Sequence, residues 1–193
     1  MPRSVKTTIE HDLVTDTGFA RASYLNVHGS EPGGAEIEEL KSRFMLYIRQ
    51  SFDADPTVVR EIRGAASLLQ LIKNDPNWSI AVATGCWYAS AKFKLENAML
   101  FDHSLPIATC DDSPRRSEIV SLAVRRALAC YKQQSFDRIV TVGDRPWDLH
   151  VARMLNYAFI GVDSDSVLVS LGATSVVRDF SNPEAFMSLL PLE

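Results

Sequence analysis

The stretch RIVTVGDRPWDLHVARMLNYAFIGV, residues 138–162, holds two short apolar segments with a helix-forming segment between them. Asp144 and Asp148 follow the first apolar segment and a glycine. This order predicts a strand–helix–strand unit of a parallel sheet, with both carboxylates at the edge where such sheets bind ligands. Carboxylate oxygens suit Mg²⁺, which usually keeps several waters and contacts a substrate phosphate. Alternatively, Asp144 caps the helix and Asp148 is a solvated acid in its first turn.

Strands alternate with helices over the whole region from residue 61 onwards. The apolar segments predicted as strands are residues 79–85, 105–109, 139–142, 158–162 and 175–180, and helix-forming segments lie between them. Short strands separated by helices are typical of a parallel sheet covered on both faces. The sequence therefore predicts an α/β fold with a Rossmann-like parallel sheet.

The first sixty residues have a different pattern. Residues 35–50 place Ile37, Leu40, Phe44 and Ile48 along one face of a predicted amphipathic helix. No β-branched run before residue 60 predicts a buried strand. The chain is therefore divided into a small helical subdomain at residues 1–60 and an α/β core at residues 61–193.

Composition excludes several classes of protein. The formal net charge is −4, so nucleic acid is not expected as a partner. No apolar run is long enough to cross a membrane, and the printed sequence does not open on the positive and apolar regions that a signal peptide has. The three cysteines have no CxxC spacing, which favours a reduced cytoplasmic protein over a zinc protein. The sequence specifies no oligomeric state.

Two further segments carry groups that suit a phosphate. Thr84 and Gly85 end a predicted strand, where a hydroxyl and a free N–H can hold a phosphate oxygen. Arg115 and Arg116 precede a predicted helix, where a cation can neutralise a phosphoryl group. The alternatives are that Thr84 caps the next helix and that the two arginines are solvated.

Taken in order, these segments resemble the motifs of the haloacid dehalogenase-like hydrolases. ATG at residues 83–85 looks like the second motif of that family, and GDRPWD at residues 143–148 looks like the fourth. Arg116 looks like the third motif, with Arg115 as the competing choice. Neither GxGxxG nor the acidic cluster of a receiver domain follows a predicted strand, so an unrelated doubly wound module is disfavoured.

The resemblance implies a Mg²⁺-dependent phosphatase that acts on a small phosphorylated substrate through an aspartyl-phosphate. Asp144 and Asp148 would hold the metal. Thr84, Gly85 and Arg116 would bind the phosphoryl group, with Thr84, Arg116 and Asp144 taking part in catalysis.

The resemblance extends to the helical subdomain, which looks like the small cap of some family members. Its predicted helices span residues 17–28 and 35–50. Thr15 and Asp16 match the pair that faces the active site in such caps, which implies contact with the substrate. The alternative is that they form an ordinary helix N-cap.

The family's first motif, DxDx[TV], is missing from the printed sequence. Residues 1–10 contain no aspartate, and Asp12 and Asp16 are four residues apart rather than two. That motif supplies the nucleophile, a metal ligand and the general acid/base, so a chain without it is expected to bind phosphate without forming the covalent intermediate. A catalytically inactive protein that binds a phosphorylated ligand is therefore the alternative function.

The strand that carries the first motif is central in the family. Its loss would leave a gap of roughly 10 Å, or two inter-strand spacings, and two unpaired strand edges. Three outcomes are expected: the flanking strands move together, another segment fills the gap, or the open reading frame lacks its true start. The last is favoured, and translation of the upstream sequence in frame would test it.

Overall fold

The computed structural model describes residues 10–190. The first element of the described residues is a 3-10 helix at His11–Leu13, and two helices follow, α1 at Asp16–His28 and α2 at Gly34–Ala54. A second 3-10 helix lies at Pro56–Val58. The remaining elements, in order, are α3 (Ala65–Asn74), β1 (Val82–Ala83), α4 (Tyr88–Asn97), β2 (Ile107–Ala108), α5 (Arg116–Cys130), β3 (Val140–Gly143), α6 (Pro146–Met154), β4 (Ala158–Val162), α7 (Val167–Ser170), β5 (Val176–Val177) and α8 (Pro183–Met187).

All strand pairs are parallel, which confirms the predicted α/β class. They form two sheets: β1 pairs with β2, and β3, β4 and β5 pair in that order. Val82 is opposite Ile107 in the first sheet, and Val140 is opposite Ala158 in the second. The alternation of strands and helices predicted from the sequence is therefore present, but the strands do not form one continuous sheet within residues 10–190.

Some element boundaries differ from the sequence expectation. The strand predicted at residues 79–85 is limited to Val82–Ala83, because it has a hydrogen-bonded neighbour on one side only in the described chain. The helix that precedes β1 begins at Ala65. Gly64, just before it, has a φ of 83° and lies against the Phe180 carbonyl, where a Cβ has no room. The backbone therefore turns at Gly64 before the helix starts.

The apolar core is divided between the two sheets. Around the first sheet, the buried side chains are Trp87, Ala108, Cys110, Ile119 and Ala123. Around the second, two clusters contain Leu68, Ile160, Phe186 and Leu190, and Leu149, Leu168 and Ala173. Each sheet therefore packs on its own set of helices.

A large cleft lies between β1 and β3. Its volume is about 1370 Å³, and its lining includes residues of both strands together with residues of α3, α5 and α8. Val142, in the middle of β3, is 47% exposed. In the described chain the flanking strands have thus not moved together, and the gap expected from the sequence is present.

The helices α1 and α2 contact each other, and α2 also contacts α4. Ile37, Leu40, Phe44 and Ile48 are all half-buried, which confirms the predicted apolar face of α2. Phe44 packs edge-on against Trp87, with ring centroids 5.5 Å apart. The domain division at residue 60 stays a prediction. Among the described helices, none is both long and apolar enough to span a membrane.

Candidate functional site

Arg116, the first residue of α5, connects three separate segments of the chain. Its Nη1 donates to the Val14 carbonyl at 3.0 Å, and its Nη2 forms an ion pair with the Asp148 carboxylate. Both charged side chains are only 17% exposed. A Cβ on Gly85 would collide with Nη1 of Arg116. The structure therefore brings Gly85, Arg116 and Asp148 together at the carboxyl edge of the two sheets.

Asp148 is held in a fixed position on α6. Its Oδ2 accepts a hydrogen bond from the Arg145 N–H at 3.1 Å, and a Cβ on Gly143 would lie 2.7 Å from that oxygen. Burial raises the pKa of Asp148 above its usual value, and it outweighs the lowering effect of the Arg116 cation. Asp148 is therefore a mostly buried, paired carboxylate in the first turn of α6 rather than a solvated one.

Asp144 is placed differently. It is 53% exposed, and Nε of the neighbouring Arg145 lies 3.1 Å from its Oδ2. Its charge is one of the influences that raise the pKa of Asp148, although burial is the largest. Within residues 10–190, no group of three or more His, Cys, Asp or Glu side chains is arranged to hold a metal. The two aspartates are therefore at most part of a Mg²⁺ site that needs water and phosphate oxygens to be complete.

The loop after β1 leaves hydrogen-bond donors available. The Thr84 N–H donates to the Ala108 carbonyl at 3.0 Å, and the Thr84 hydroxyl oxygen accepts from the Cys86 N–H at 3.1 Å. The Thr84 hydroxyl proton and the Gly85 N–H have no acceptor within residues 10–190. The Gly85 carbonyl accepts from the Asp16 N–H at 2.7 Å, which fixes this loop against α1.

Thr15 and Asp16 are already occupied by contacts within the protein. Thr15 is 2% exposed, accepts from the Gly18 N–H at 3.0 Å as the N-cap of α1, and donates to the Pro114 carbonyl. Asp16 Oδ2 accepts from the Trp87 N–H at 3.0 Å, and burial raises the pKa of this carboxyl above its usual range. Thr15 is therefore the N-cap of α1, as the alternative interpretation of the sequence expects. Contact of Thr15 or Asp16 with a substrate stays a prediction.

Asp12 is a site residue that the sequence did not reveal. It is 3% exposed, and it accepts from the Ser117 N–H at 2.7 Å and from Arg115 Nη1 at 3.2 Å. It caps the start of α5 from a position 105 residues away, so no local motif could have indicated it. Arg115 is thus engaged by Asp12, whereas Arg116 faces the site.

Replacing Asp12 with asparagine is expected to lower the free energy of unfolding by about 1–2 kcal/mol at pH 7, because a neutral amide loses the charge-assisted bonds from Ser117 and Arg115. Burial alone would raise the pKa of Asp12, but the bonds from Ser117 and the Arg115 cation outweigh it, so the pKa lies below the usual 3.8. The stability that this carboxylate contributes is full above pH 3.8 and is lost as the pH falls through the lowered pKa. Urea unfolding at pH 7, 5 and 3 measures the free energy of unfolding of the native protein and of Asp12→Asn. The difference between the two should become smaller at pH 3. Asp53→Asn, on exposed α2, is the control, and a difference that stays constant with pH would contradict this account.

No protein-family model matches the sequence, and no curated protein matches it. A solved structure described as "Putative beta-phosphoglucomutase from Bacteroides vulgatus" is similar to this chain, with a TM-score of 0.56 and 17% sequence identity. The match covers 92% of this chain and 72% of that one. At this identity the likeness shows the fold alone, which is an α/β fold with parallel strands and helices.

Proposed function

We propose that this protein binds the phosphoryl group of a small phosphate monoester at Arg116, as a Mg²⁺-dependent hydrolase of the haloacid dehalogenase type would. The observation that carries the proposal is the position of the Arg116 guanidinium, which lies between Gly85 and Asp148. A mostly buried cation beside free hydrogen-bond donors at the carboxyl edge of parallel strands favours a compact anion.

The donors suffice to hold a phosphate. A guanidinium carries five N–H donors, and two of those of Arg116 are directed at Val14 and Asp148. The remaining ones, the Thr84 hydroxyl and the Gly85 N–H can each donate to a phosphoryl oxygen. Hydrogen bonds to a charged acceptor are the stronger kind, so even three of them would give measurable affinity.

Mg²⁺ would be held by Asp144 and Asp148 together with phosphate oxygens and water, and it would neutralise charge on the phosphoryl group. Asp144 is the more available of the two acids, because Asp148 already bonds Arg116 and the Arg145 N–H. Metal affinity is therefore expected to be low without phosphate and higher with it.

Turnover needs a carboxylate nucleophile. Its oxygen would form a bond to phosphorus as the ester P–O bond breaks and the alcohol leaves, and water would then hydrolyse the aspartyl-phosphate to inorganic phosphate. In the described chain, three acids near the site are engaged: Asp12 caps α5, Asp16 bonds the loop after β1, and Asp148 pairs with Arg116. The more exposed Asp144 is the proposed metal ligand. These engagements favour a second candidate function, binding of a phosphorylated ligand without hydrolysis.

Removal of one donor tests the binding proposal. Thr84→Val keeps the side-chain shape and loses the hydroxyl proton, so we expect phosphate affinity to fall about tenfold or more, as for a bond to a charged group. Isothermal titration with inorganic phosphate, with and without Mg²⁺, measures the change. Thr174→Val, at an exposed turn, is the matched control. No phosphate binding by the native protein, or equal affinity in both variants, would contradict the proposal.

Hydrolysis of para-nitrophenyl phosphate with Mg²⁺ separates the two functions. Turnover that is lost in Asp144→Asn supports the phosphatase. Phosphate binding without turnover supports the binding protein.

A further inference from the structure

Two histidine side chains meet where the first 3-10 helix packs against α6. His11 is the first residue of the 3-10 helix, and His150 lies within α6. Both residues are exposed to solvent. Their ring centroids are 5.3 Å apart, and the planes of the rings are inclined at 79°. Two imidazoles from distant parts of the chain are therefore neighbours on the surface.

The distance between the two rings suits a shared metal ion. With nitrogen–metal bonds of about 2.1 Å and tetrahedral angles, two imidazoles on one zinc ion have ring centroids roughly 5 Å apart. The observed separation of 5.3 Å is close to this value. The χ2 torsion of histidine is broad, so rotation of the exposed rings can turn a nitrogen of each toward one ion without moving the backbone.

The backbone that carries each histidine is held by buried neighbours. Asp12, which follows His11, is buried and caps α5. Leu149 and Val151, on either side of His150, are both buried. Sites on rigid elements hold their ligands more precisely than sites on loops. An ion at this position would therefore order two side chains and leave the fold as it is, which keeps the entropy cost of binding small.

The donor atoms distinguish this position from the proposed Mg²⁺ site. Imidazole nitrogens suit Zn²⁺, Ni²⁺ and Cu²⁺, whereas Mg²⁺ prefers oxygen ligands such as those of Asp144 and Asp148. Within residues 10–190, no third His, Cys, Asp or Glu side chain completes a metal-binding group. Water would therefore fill the remaining positions of the ion, as it does at open zinc sites.

We propose that His11 and His150 together bind one transition-metal dication of the Zn²⁺ class. The ion links the 3-10 helix to α6 through one nitrogen of each ring and keeps water as its other ligands. An edge-on contact between two rings requires no nitrogen, so removal of the nitrogens separates metal binding from simple aromatic packing. The proposal goes beyond phosphate binding and does not depend on it.

Calorimetric titration of the full chain with Zn²⁺, in excess Mg²⁺, tests the proposal. We expect the native protein to bind one Zn²⁺ at the two histidines. His11→Phe and His150→Phe each keep an aromatic ring and remove its nitrogens. Each should lower the Zn²⁺ affinity about tenfold or more, because the second bond of a chelate forms at a high effective concentration.

The chain contains two further histidines, which provide matched controls. His28 packs against Tyr24, and His103 packs edge-on against Phe101. His28→Phe and His103→Phe should leave the Zn²⁺ affinity unchanged. Urea unfolding gives a second measurement, since an ion that binds the folded chain raises its stability. Zn²⁺ should therefore raise the urea midpoint of the native protein and of both controls, and should raise it less in the two test variants.

Three results would overturn the proposal. The first is the absence of Zn²⁺ binding by the native chain. The second is an unchanged Zn²⁺ affinity in both His11→Phe and His150→Phe. The third is binding that excess Mg²⁺ displaces and that Asp144→Asn abolishes, because the ion would then be held by the carboxylates. A failure of phosphate to bind would contradict the proposed function and leave this prediction in force.

Discussion

Arg116→Ala is expected to lower the free energy of unfolding by about 3 kcal/mol, at the lower end of the range for a buried pair, because it leaves a mostly buried carboxylate without its partner. The Asp148 side chain is 17% exposed, so solvent replaces little of the lost interaction. The same change removes the cation proposed to bind phosphate, and phosphate affinity is expected to fall by roughly tenfold to a hundredfold, as for loss of charge-assisted bonds. Urea unfolding and calorimetric titration measure the two effects.

Two other arginines serve as controls. Arg145→Ala breaks a pair that is 61% and 53% exposed, and the expected change in stability is below about 1 kcal/mol. Arg115→Ala removes a bond to Asp12 but leaves Asp12 with its two bonds from Ser117. Neither variant should change phosphate affinity much. A loss of affinity in Arg115→Ala as large as that in Arg116→Ala would show that the site has been assigned to the wrong arginine.

The pH dependence of the destabilisation by Arg116→Ala tests whether the unpaired Asp148 carboxylate causes it. Burial raises the pKa of Asp148 in the native protein, and the Arg116 cation limits the rise. Without Arg116 the folded-state pKa should rise further above the usual 3.8. A raised carboxyl pKa lowers stability as the pH rises above 3.8, because the unfolded chain ionises first. The destabilisation should therefore be larger at pH 7 than at pH 4, and Asp148→Asn in the same chain should recover part of it.

Local sequence patterns were sufficient to predict the α/β fold class. The apolar segment at residues 158–162 forms β4 with the predicted bounds, and the apolar face of α2 is half-buried as its spacing indicates. These features depend on residues close together in the sequence. The strand predicted at residues 79–85 is shortened to two residues, because strand length also depends on the neighbouring strand.

Fewer features of the candidate site could be predicted from the sequence. Adjacent residues on a helix point in directions about 100° apart, but the sequence alone does not tell which direction faces the site. The structure directs Arg116 to Asp148 and Arg115 to Asp12. Asp12 and Ser117 meet across 105 residues, and such a contact carries no local signal. The motif that contains Asp144 and Asp148 was visible because strand, glycine and both acids lie within a few residues.

Phe186→Ala is expected to lower the free energy of unfolding by about 3–5 kcal/mol, the usual range for a buried phenylalanine. Phe186 is 2% exposed, belongs to the cluster of Leu68, Ile160 and Leu190, and packs edge-on against Phe180 at 5.6 Å. Val169→Ala, at a side chain that is 53% exposed on α7, is the control and should change stability by less than about 0.5 kcal/mol. Chemical denaturation of both variants measures the difference.

The size of the Phe186 effect also reports on the cleft, because this ring forms part of its wall. If the cleft is closed to water, truncation leaves a closed cavity, and both the transfer and the cavity contributions apply, so the loss should approach about 5 kcal/mol. If the cleft is open to water, truncation only enlarges it, and the loss should be nearer the transfer contribution of about 2–3 kcal/mol.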